Sequence, residues 1–324
     1  MSHLLRVAAK FVVCLAIISC DQLECDQKKQ ESVVVMNKAI ETAQVDPEKA
    51  VKMLEQALTA DPGNHRAAYN MGLLIMKGTK SVCIGGEPSG KTEEERRKSV
   101  EEREARCTGA WEKTADAFGR AVQINPEDAM YQYNLGHALF ESDKLDLGRA
   151  ALEKATKLNP RLYKGHWYLG LIHRAQDHPK EAALAWSEAC RLNPEFGKPY
   201  RDLADLYYQW DYFNEAALVL EEGARYAKAA EEHDRTDIYY LLGLVRDALQ
   251  QWPQAAAAYE NALKEKADNL DAKFQLGFTY ANLNEGGKAQ KYFKEYLDAA
   301  SSMPSQQAKV MAANVRLLQV LASK

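Results

Sequence analysis

A glycine-rich segment, Gly85–Thr92, is the part of the sequence that most directly suggests chemistry. It fits the pattern G-x-x-x-x-G-K-[ST], whose backbone N–H groups cradle phosphates while the lysine, here Lys91, contacts the outer phosphates and the hydroxyl of Thr92 holds Mg²⁺. Such a loop needs a buried parallel strand before it, and the four preceding residues form a poor strand. We therefore interpret the segment, with its glycines Gly85 and Gly90, as a turn, and we keep a nucleotide-binding regulator as the alternative.

Two cysteines, Cys83 and Cys107, lie on either side of this segment. Between them, Thr92–Arg106 alternates acids and bases at i,i+4 spacing, which favours a solvated helix. In an oxidising compartment a disulfide between the two cysteines would close the excursion. Two free buried thiols are the alternative.

No catalytic arrangement of residues is apparent, so we predict a protein that is not an enzyme and that has no cofactor and no metal. His166 and His173 are seven residues apart on one predicted helix face, but a packing role explains them better. The formal net charge is −4, without an obvious basic patch, so nucleic acid is not an expected partner.

The N-terminus, Met1–Ser19, has two basic residues followed by an apolar core that is too short to span a bilayer, which is typical of a secretory signal peptide. It ends in Ile17-Ile18-Ser19-Cys20, which resembles a bacterial lipobox. That resemblance implies that Cys20 is lipidated and that residues 20–30 tether the protein to the inner or outer membrane, facing the periplasm. A plain signal peptide or a buried N-terminal segment is the alternative.

The rest of the chain repeats. A Leu-Gly pair occurs at Leu135-Gly136 and again 34 residues later at Leu169-Gly170, and it returns at Leu242-Gly243 and Leu276-Gly277. Each pair is followed by a second helical segment with a small residue, a bulky residue four positions later, and in several cases a terminating proline. This pattern resembles the tetratricopeptide repeat (TPR), a helix–turn–helix unit of about 34 residues.

The resemblance implies an all-α, right-handed α-solenoid of about seven helix pairs, because stacked repeats bury a continuous core. We place the array at residues 31–303, with a helical or loop insertion at 78–109. In the second repeat we expect the first helix to end near Met76 and the second to begin near Trp111. Residues 304–324 carry an apolar stripe and are predicted to form a capping helix, with a docking site for a partner helix as the alternative.

TPR proteins resemble one another in binding partner segments along a concave groove formed by their first helices. The residue two positions before each Leu-Gly pair should face this groove, and most residues at that position are aromatic. The predicted groove residues, which include those one and two turns further on, are Tyr69, Tyr133, His137, Phe140, Trp167, Leu171, Arg174, Arg201, Tyr208, Tyr240, Leu244, Phe274 and Phe278. Packing between adjacent repeats is the alternative for some of them.

Together these features predict a non-catalytic scaffold that binds envelope proteins or their peptide segments, and is held at the lipid bilayer through Cys20. It resembles TPR lipoproteins of the pilotin type and those that dock peptidoglycan hydrolases. An envelope sensor with a small apolar ligand in the groove is a further alternative, and a homo-oligomer is left open.

Overall fold

The computed structural model describes residues 24–84, 92–226 and 232–322, with the side chains of 232–234 excepted. The described residues form α-helices joined by short turns and contain no strand, so the all-α prediction is confirmed. The predicted signal peptide, the lipidation site Cys20 and the loop residues Gly85, Gly90 and Lys91 lie outside the described residues. None of the described helices is long and apolar enough to cross a membrane.

The chain divides into two compact units, Met1–Pro160 and Arg161–Lys324. Unit 1 contains α1 (24–42), α2 (Pro47–Ala60), α3 (His65–Cys83), α4 (Glu93–Ile124), α5 (Ala129–Glu141) and α6 (Leu145–Leu158). Unit 2 contains α7 (Tyr163–Ala175), α8 (Pro179–Leu192), α9 (Lys198–Gln209), α10 (Phe213–Tyr226), α11 (Glu232–Ala248), α12 (Trp252–Glu265), α13 (Leu270–Asn282), α14 (Gly286–Ala300), a 3₁₀ turn (Pro304–Gln306) and α15 (Gln307–Ala322).

The glycine of each Leu-Gly pair is the point of closest approach within a helix pair. A Cβ atom added at Gly170 would lie 2.3 Å from Nε1 of Trp186, and one added at Gly243 would lie 2.3 Å from Cε1 of Tyr259. Atoms do not pack that closely, so only glycine lets the first helix lie against the bulky residue of the second. The small–bulky pairing that the sequence shows is therefore the contact that holds each pair together.

The turn between the two helices of a pair also recurs. One residue in it adopts a left-handed conformation, with φ between 57° and 61°, and the residues at this position are Asp143, Asp177, Asp211, Gln250 and Asn284. The next backbone N–H bonds back into the end of the first helix, as from Lys144 to the Leu139 carbonyl at 2.8 Å. This arrangement satisfies carbonyl groups that the end of a helix leaves without partners.

The second repeat departs from the prediction. Its first helix does not end near Met76, and its second does not begin near Trp111, because α3 continues to Cys83 and α4 starts at Glu93. The insertion therefore lengthens both helices of the pair. The charged segment that favours a solvated helix is continuous with the packed part of α4. A capping box at Thr92 begins this helix.

Cys83 and Cys107 are joined by a disulfide across these two extensions, with their Cα atoms 5.1 Å apart. Nearby, the hydroxyl of Thr79 lies 2.9 Å from the hydroxyl of Thr114 and donates to the Ala110 carbonyl at 3.2 Å. The two long helices therefore remain in contact well beyond the ordinary length of a repeat.

The predicted tether is also partly wrong, because residues 24–30 are helical and belong to α1. This helix packs as the first helix of the first repeat: Met36 and Ala39 are buried, and the hydroxyl of Ser32 donates to the Ala57 carbonyl at 2.7 Å. Polar residues at its start are compatible with a helix whose exposed face points to water.

Helix α15 packs on the last repeat of unit 2. Its buried face consists of Val310, Ala313 and Val320, and Lys309 donates to Asp271 at 2.6 Å. The C-terminal segment is thus a helix that covers the end of the unit 2 core, in the position predicted for a cap.

Candidate functional site

The first helices of the repeats present the predicted groove residues, and we call this surface the first-helix face of each unit. The predicted groove residues lie on α3 and α5 in unit 1, and on α7, α9, α11 and α13 in unit 2, so these helices define the face that we describe. The two faces are described separately.

In unit 1, Tyr69 is half-buried and packs between repeats. Its ring stacks on Tyr131 with the ring centroids 4.5 Å apart, and it lies 5.8 Å from the ring of Phe118. Its hydroxyl accepts a hydrogen bond from Nδ2 of Asn134 at 3.0 Å, and burial raises the pKa of that hydroxyl. Tyr69 therefore joins α3 to α5.

The exposure predicted for two residues of α5 is wrong. Tyr133 is 8% exposed and His137 is 7% exposed. The His137 ring lies 5.1 Å from that of Trp111, and its Nε2 atom is 3.4 Å from a carboxylate oxygen of Glu141. Both side chains are enclosed by packing, and Phe140 is half-buried. The first-helix face of unit 1 therefore consists mainly of packed aromatic residues.

The face of unit 2 begins with a polar chain that links three helices. The indole N–H of Trp167 on α7 donates to Oδ2 of Asp202 on α9 at 2.7 Å. The guanidinium of Arg201 donates to Oδ1 of Asp202 at 2.8 Å and 3.1 Å, and its Nη1 donates to Asp237 on α11 at 3.4 Å. Such charge-assisted bonds hold the arginine and the indole in fixed positions.

A second polar chain lies about two turns further along the same helices. Arg174 on α7 donates to the side-chain oxygen of Gln209 on α9, whose amide nitrogen donates to Asp205 at 2.6 Å. Burial raises the pKa of Asp205, partly offset by the positive charge of Arg174. Leu171 is half-buried between the two chains on α7 and packs with the Trp186 cluster.

The face then becomes aromatic and apolar on α11 and α13. Tyr240 is half-buried with its ring 5.9 Å from Tyr259, and Leu244 packs against both neighbouring core clusters. Phe274 and Phe278 contact each other with their centroids 4.9 Å apart. Both side chains are only half-buried, so this half can accept apolar groups.

Tyr208, the remaining predicted residue, is half-buried at the end of α9. Its ring lies 5.3 Å from that of Phe213 at the start of α10, so it packs within its own repeat. Lys309 of α15 lies 5.9 Å from the centroid of the Phe274 ring and places a positive charge beside the aromatic half.

Sequence reasoning missed the acceptors of the first polar chain, Asp202 and Asp237. Asp202 directly follows Arg201 and lies 35 residues after Trp167, so the repeat period itself would have placed it opposite the indole. Neither carboxylate lies at one of the offsets from the Leu-Gly pairs that define the predicted groove, although Asp202 is adjacent to such a position.

The only described member of the phosphate-loop pattern, Thr92, has a structural role. Its hydroxyl accepts from the backbone N–H of Glu95 at 3.1 Å, and the Glu95 carboxylate accepts from the Thr92 N–H at 3.1 Å. This reciprocal pair is a capping box that starts α4. No strand precedes the loop within residues 24–84, so the structural context that the motif requires is not found there.

Comparison with known proteins agrees with this architecture. Residues 133–195 and 240–304 match the tetratricopeptide repeat family, so these segments contain TPRs, as predicted. No curated protein matches the chain.

Three similar solved structures match the chain at low identity. YrrB, described as a TPR protein with an unusual peptide-binding site, is 20% identical over 62% of this chain and 99% of its own, with a TM-score of 0.51. The C-terminal part of a TPR repeat-containing protein from Cytophaga hutchinsonii is 15% identical over 63% and 80%, with a TM-score of 0.54. Yeast Tom70 is 15% identical over 84% of this chain and 59% of its own, with a TM-score of 0.52. At these identities the likeness concerns the fold alone.

Proposed function

We propose that this protein is a non-catalytic scaffold that binds a segment of a partner protein along the first-helix face of unit 2. The observation that carries the proposal is the organisation of that face: two hydrogen-bonded polar chains on α7, α9 and α11, followed by aromatic residues on α11 and α13. Packing within a repeat does not require a tryptophan and an arginine held by carboxylates at a surface. Fixed aromatic and arginine side chains are typical anchors of binding sites.

The partner segment that fits this face carries apolar side chains at one end and polar groups at the other. Apolar groups would contact Phe274 and Phe278, and burying them supplies most of the affinity. The polar end would exchange hydrogen bonds with Arg174 and with Asp237, whose side chain is half exposed. Because the hydrogen bonds within the two polar chains already fix Arg174 and Arg201, these side chains lose little conformational entropy when a partner binds.

We further propose that the scaffold acts in the assembly or regulation of a bacterial cell-envelope complex, held at the membrane by a lipid on Cys20. The lipobox-like sequence Ile17-Ile18-Ser19-Cys20 supports this location. The disulfide between Cys83 and Cys107 supports an oxidising compartment such as the periplasm.

The test is a crosslinked pull-down from native membranes. The double variant Arg174→Ala/Asp237→Ala removes one positive and one negative charge from the face, and we expect it to lose a defined envelope partner. The matched control Arg225→Ala/Asp298→Ala removes the same charges at exposed positions of α10 and α14 and should keep the partner. Equal partner recovery from the two double variants would exclude this face as the binding site.

A second readout separates binding from folding. Circular dichroism should show the same helix content in both double variants, because the substituted side chains contribute to surface hydrogen bonds and leave the apolar core intact. Large-to-small changes at Trp167 or Tyr240 are less informative, since these side chains also pack against Phe196 and Tyr259 and their loss would destabilise unit 2.

A further inference from the structure

Helix α15 carries a second apolar stripe on the side that faces away from unit 2. Its large members are Met311, Val315 and Leu318, which are 69%, 57% and 66% exposed. Exposed Ala308 and Ala322 extend the stripe, so that apolar residues follow one another at alternating spacings of three and four. Two-stranded coiled coils have this spacing along their contact surface, where each side chain inserts between residues of the facing helix. We call this stripe the exposed seam; it consists of Ala308, Met311, Val315, Leu318 and Ala322.

This stripe is distinct from the face that α15 uses to cap unit 2. The capping face consists of Val310, Ala313 and Val320, which are buried. The two described cations of the helix are also engaged with unit 2: Lys309 donates to Asp271 at 2.6 Å and Arg316 donates to Asn282 at 3.0 Å. The exposed seam is therefore an additional surface with a regular pattern.

The residues beside the seam indicate which partner fits it. They are Gln307, Ala312, Asn314, Gln319 and Leu321, and none is charged. Pairing between unlike helices is usually specified by complementary charges at these flanking positions. A seam flanked only by neutral residues gives no such selection and does not repel an identical seam, so the surface is suited to a second copy of this chain.

The sizes of the seam residues also match those of an inverted copy. When two α15 helices run antiparallel, Ala308 of one copy lies opposite Leu318 of the other, and Met311 lies opposite Val315. In each of these two pairs a smaller side chain faces a larger one, and the two-fold symmetry of the dimer makes each pair occur twice. Because α15 is already folded on unit 2, association does not have to form the helix.

We propose that the exposed seam of α15 binds the same seam of a second copy of this chain in antiparallel orientation and forms a homodimer. The dimer is a weak one, because a single 16-residue helix offers less area than the roughly 800 Å² per partner of a standard stable interface. Attachment of both copies to one membrane would raise their effective concentration and favour the pair. The proposal does not depend on the binding face of unit 2.

The test measures the dimer dissociation constant of the purified full chain by sedimentation velocity over a range of concentrations, in density-matched detergent. Leu318→Glu should raise that constant by about 100-fold, because each dimer contains the substitution twice and buries an unpaired charge at each site. Leu184→Glu is the matched control, since Leu184 is an exposed leucine of α8 in the same unit. It should leave the constant unchanged.

A compensating variant tests the orientation. In Ala308→Lys/Leu318→Glu the introduced lysine of one copy faces the introduced glutamate of the other only if the helices are antiparallel. We expect this double variant to regain at least tenfold of the lost affinity at low salt, and to lose that gain at high salt. Val315→Lys provides a second disrupting change, and circular dichroism verifies that each variant retains its helices.

The expected results together establish the seam as an antiparallel interface. A wild-type chain that remains monomeric at every concentration would overturn the proposal. So would a dimer that Leu318→Glu leaves intact, or one that Leu184→Glu weakens to the same degree. Failure of the double variant to regain affinity would overturn the antiparallel arrangement.

Discussion

Replacing Gly72 by alanine should destabilise unit 1, because an added Cβ atom would lie 2.6 Å from two ring atoms of Phe118. Phe118 is fully buried in the core between α3 and α4, so its ring has no free space into which to move. Forcing an extra methyl group into a packed core typically costs about 1–3 kcal/mol. Alanine also gains about 1 kcal/mol over glycine in a helix. The net loss in the free energy of unfolding should be about 0–2 kcal/mol.

Gly78 provides a matched control because it lies in the same helix and is exposed. A Cβ atom added there would have no neighbour within 4 Å, so only the gain in helix propensity remains. Gly78→Ala should therefore stabilise unit 1 by up to about 1 kcal/mol. Because both variants gain the same helix propensity, they should differ by the overpacking cost of about 1–3 kcal/mol.

Urea denaturation followed by circular dichroism measures this difference, with both variants and the wild type under identical conditions. Gly72→Ala should unfold at lower urea than the wild type and Gly78→Ala at equal or higher urea. Gly72 follows Met71 and takes the place of the glycine of the Leu-Gly pairs. If the two variants have the same midpoint, the contact between Gly72 and Phe118 does not hold the helix pair together, and the packing argument is wrong.

Three further predictions concern other parts of the chain. Reducing the Cys83–Cys107 bridge should lower the melting temperature measured by calorimetry, since closing a loop of 24 residues contributes about 3 kcal/mol. The variant Cys83→Ser/Cys107→Ser should melt at the temperature of the reduced wild type, and adding reductant should not change its melting temperature. Burial raises the pKa of Asp247 above 3.8, so its protonated form is favoured in the fold, and this stability contribution is lost as pH rises through the folded pKa. The wild type should therefore gain stability relative to Asp247→Asn as pH falls from 7 to 4 in urea titrations, and a difference independent of pH would contradict this. Cys20→Ala should move the protein from the membrane to the soluble fraction, and retention at the membrane would refute the lipid anchor.

The helix pairs could be predicted because their essential contact is local and periodic. Gly170 and Trp186 are 16 residues apart, and the same small–bulky relation recurs in each later repeat. A contact of this kind is set by residue type and spacing alone, and the turn between the helices keeps one conformation. Pattern and period therefore contained enough information to place these elements.

The long helices of the second repeat could not be predicted in the same way. The charged stretch Thr92–Arg106 was recognisable as helical, but the repeat pattern placed the start of the second helix near Trp111, with Gly109 just before it. In the structure an added Cβ atom at Gly109 would have no neighbour within 4 Å, so this glycine costs the helix about 1 kcal/mol in propensity and breaks nothing. The helical residues on both sides of Gly109 stabilise α4 by more than this cost, so the helix continues through it.

Burial on the first-helix face also escaped prediction. Tyr133 and Trp167 occupy the same position in their repeats, yet Tyr133 is buried whereas Trp167 is half-buried and its indole donates to Asp202. The difference comes from the neighbouring side chains that happen to surround each residue. Such tertiary surroundings are not encoded in the repeat period.

The left-handed turn residue gives the protein a set of positions at which its stability can be adjusted without altering either proposed interface. For most residues this conformation costs roughly 1–2 kcal/mol, whereas asparagine and aspartate tolerate it and glycine adopts it freely. Gln250 has neither advantage and has a φ of 57°. Gln250→Gly should therefore stabilise its helix pair more than Asn284→Gly stabilises the next. An engineer could use the turns as a graded control of how readily individual repeats open.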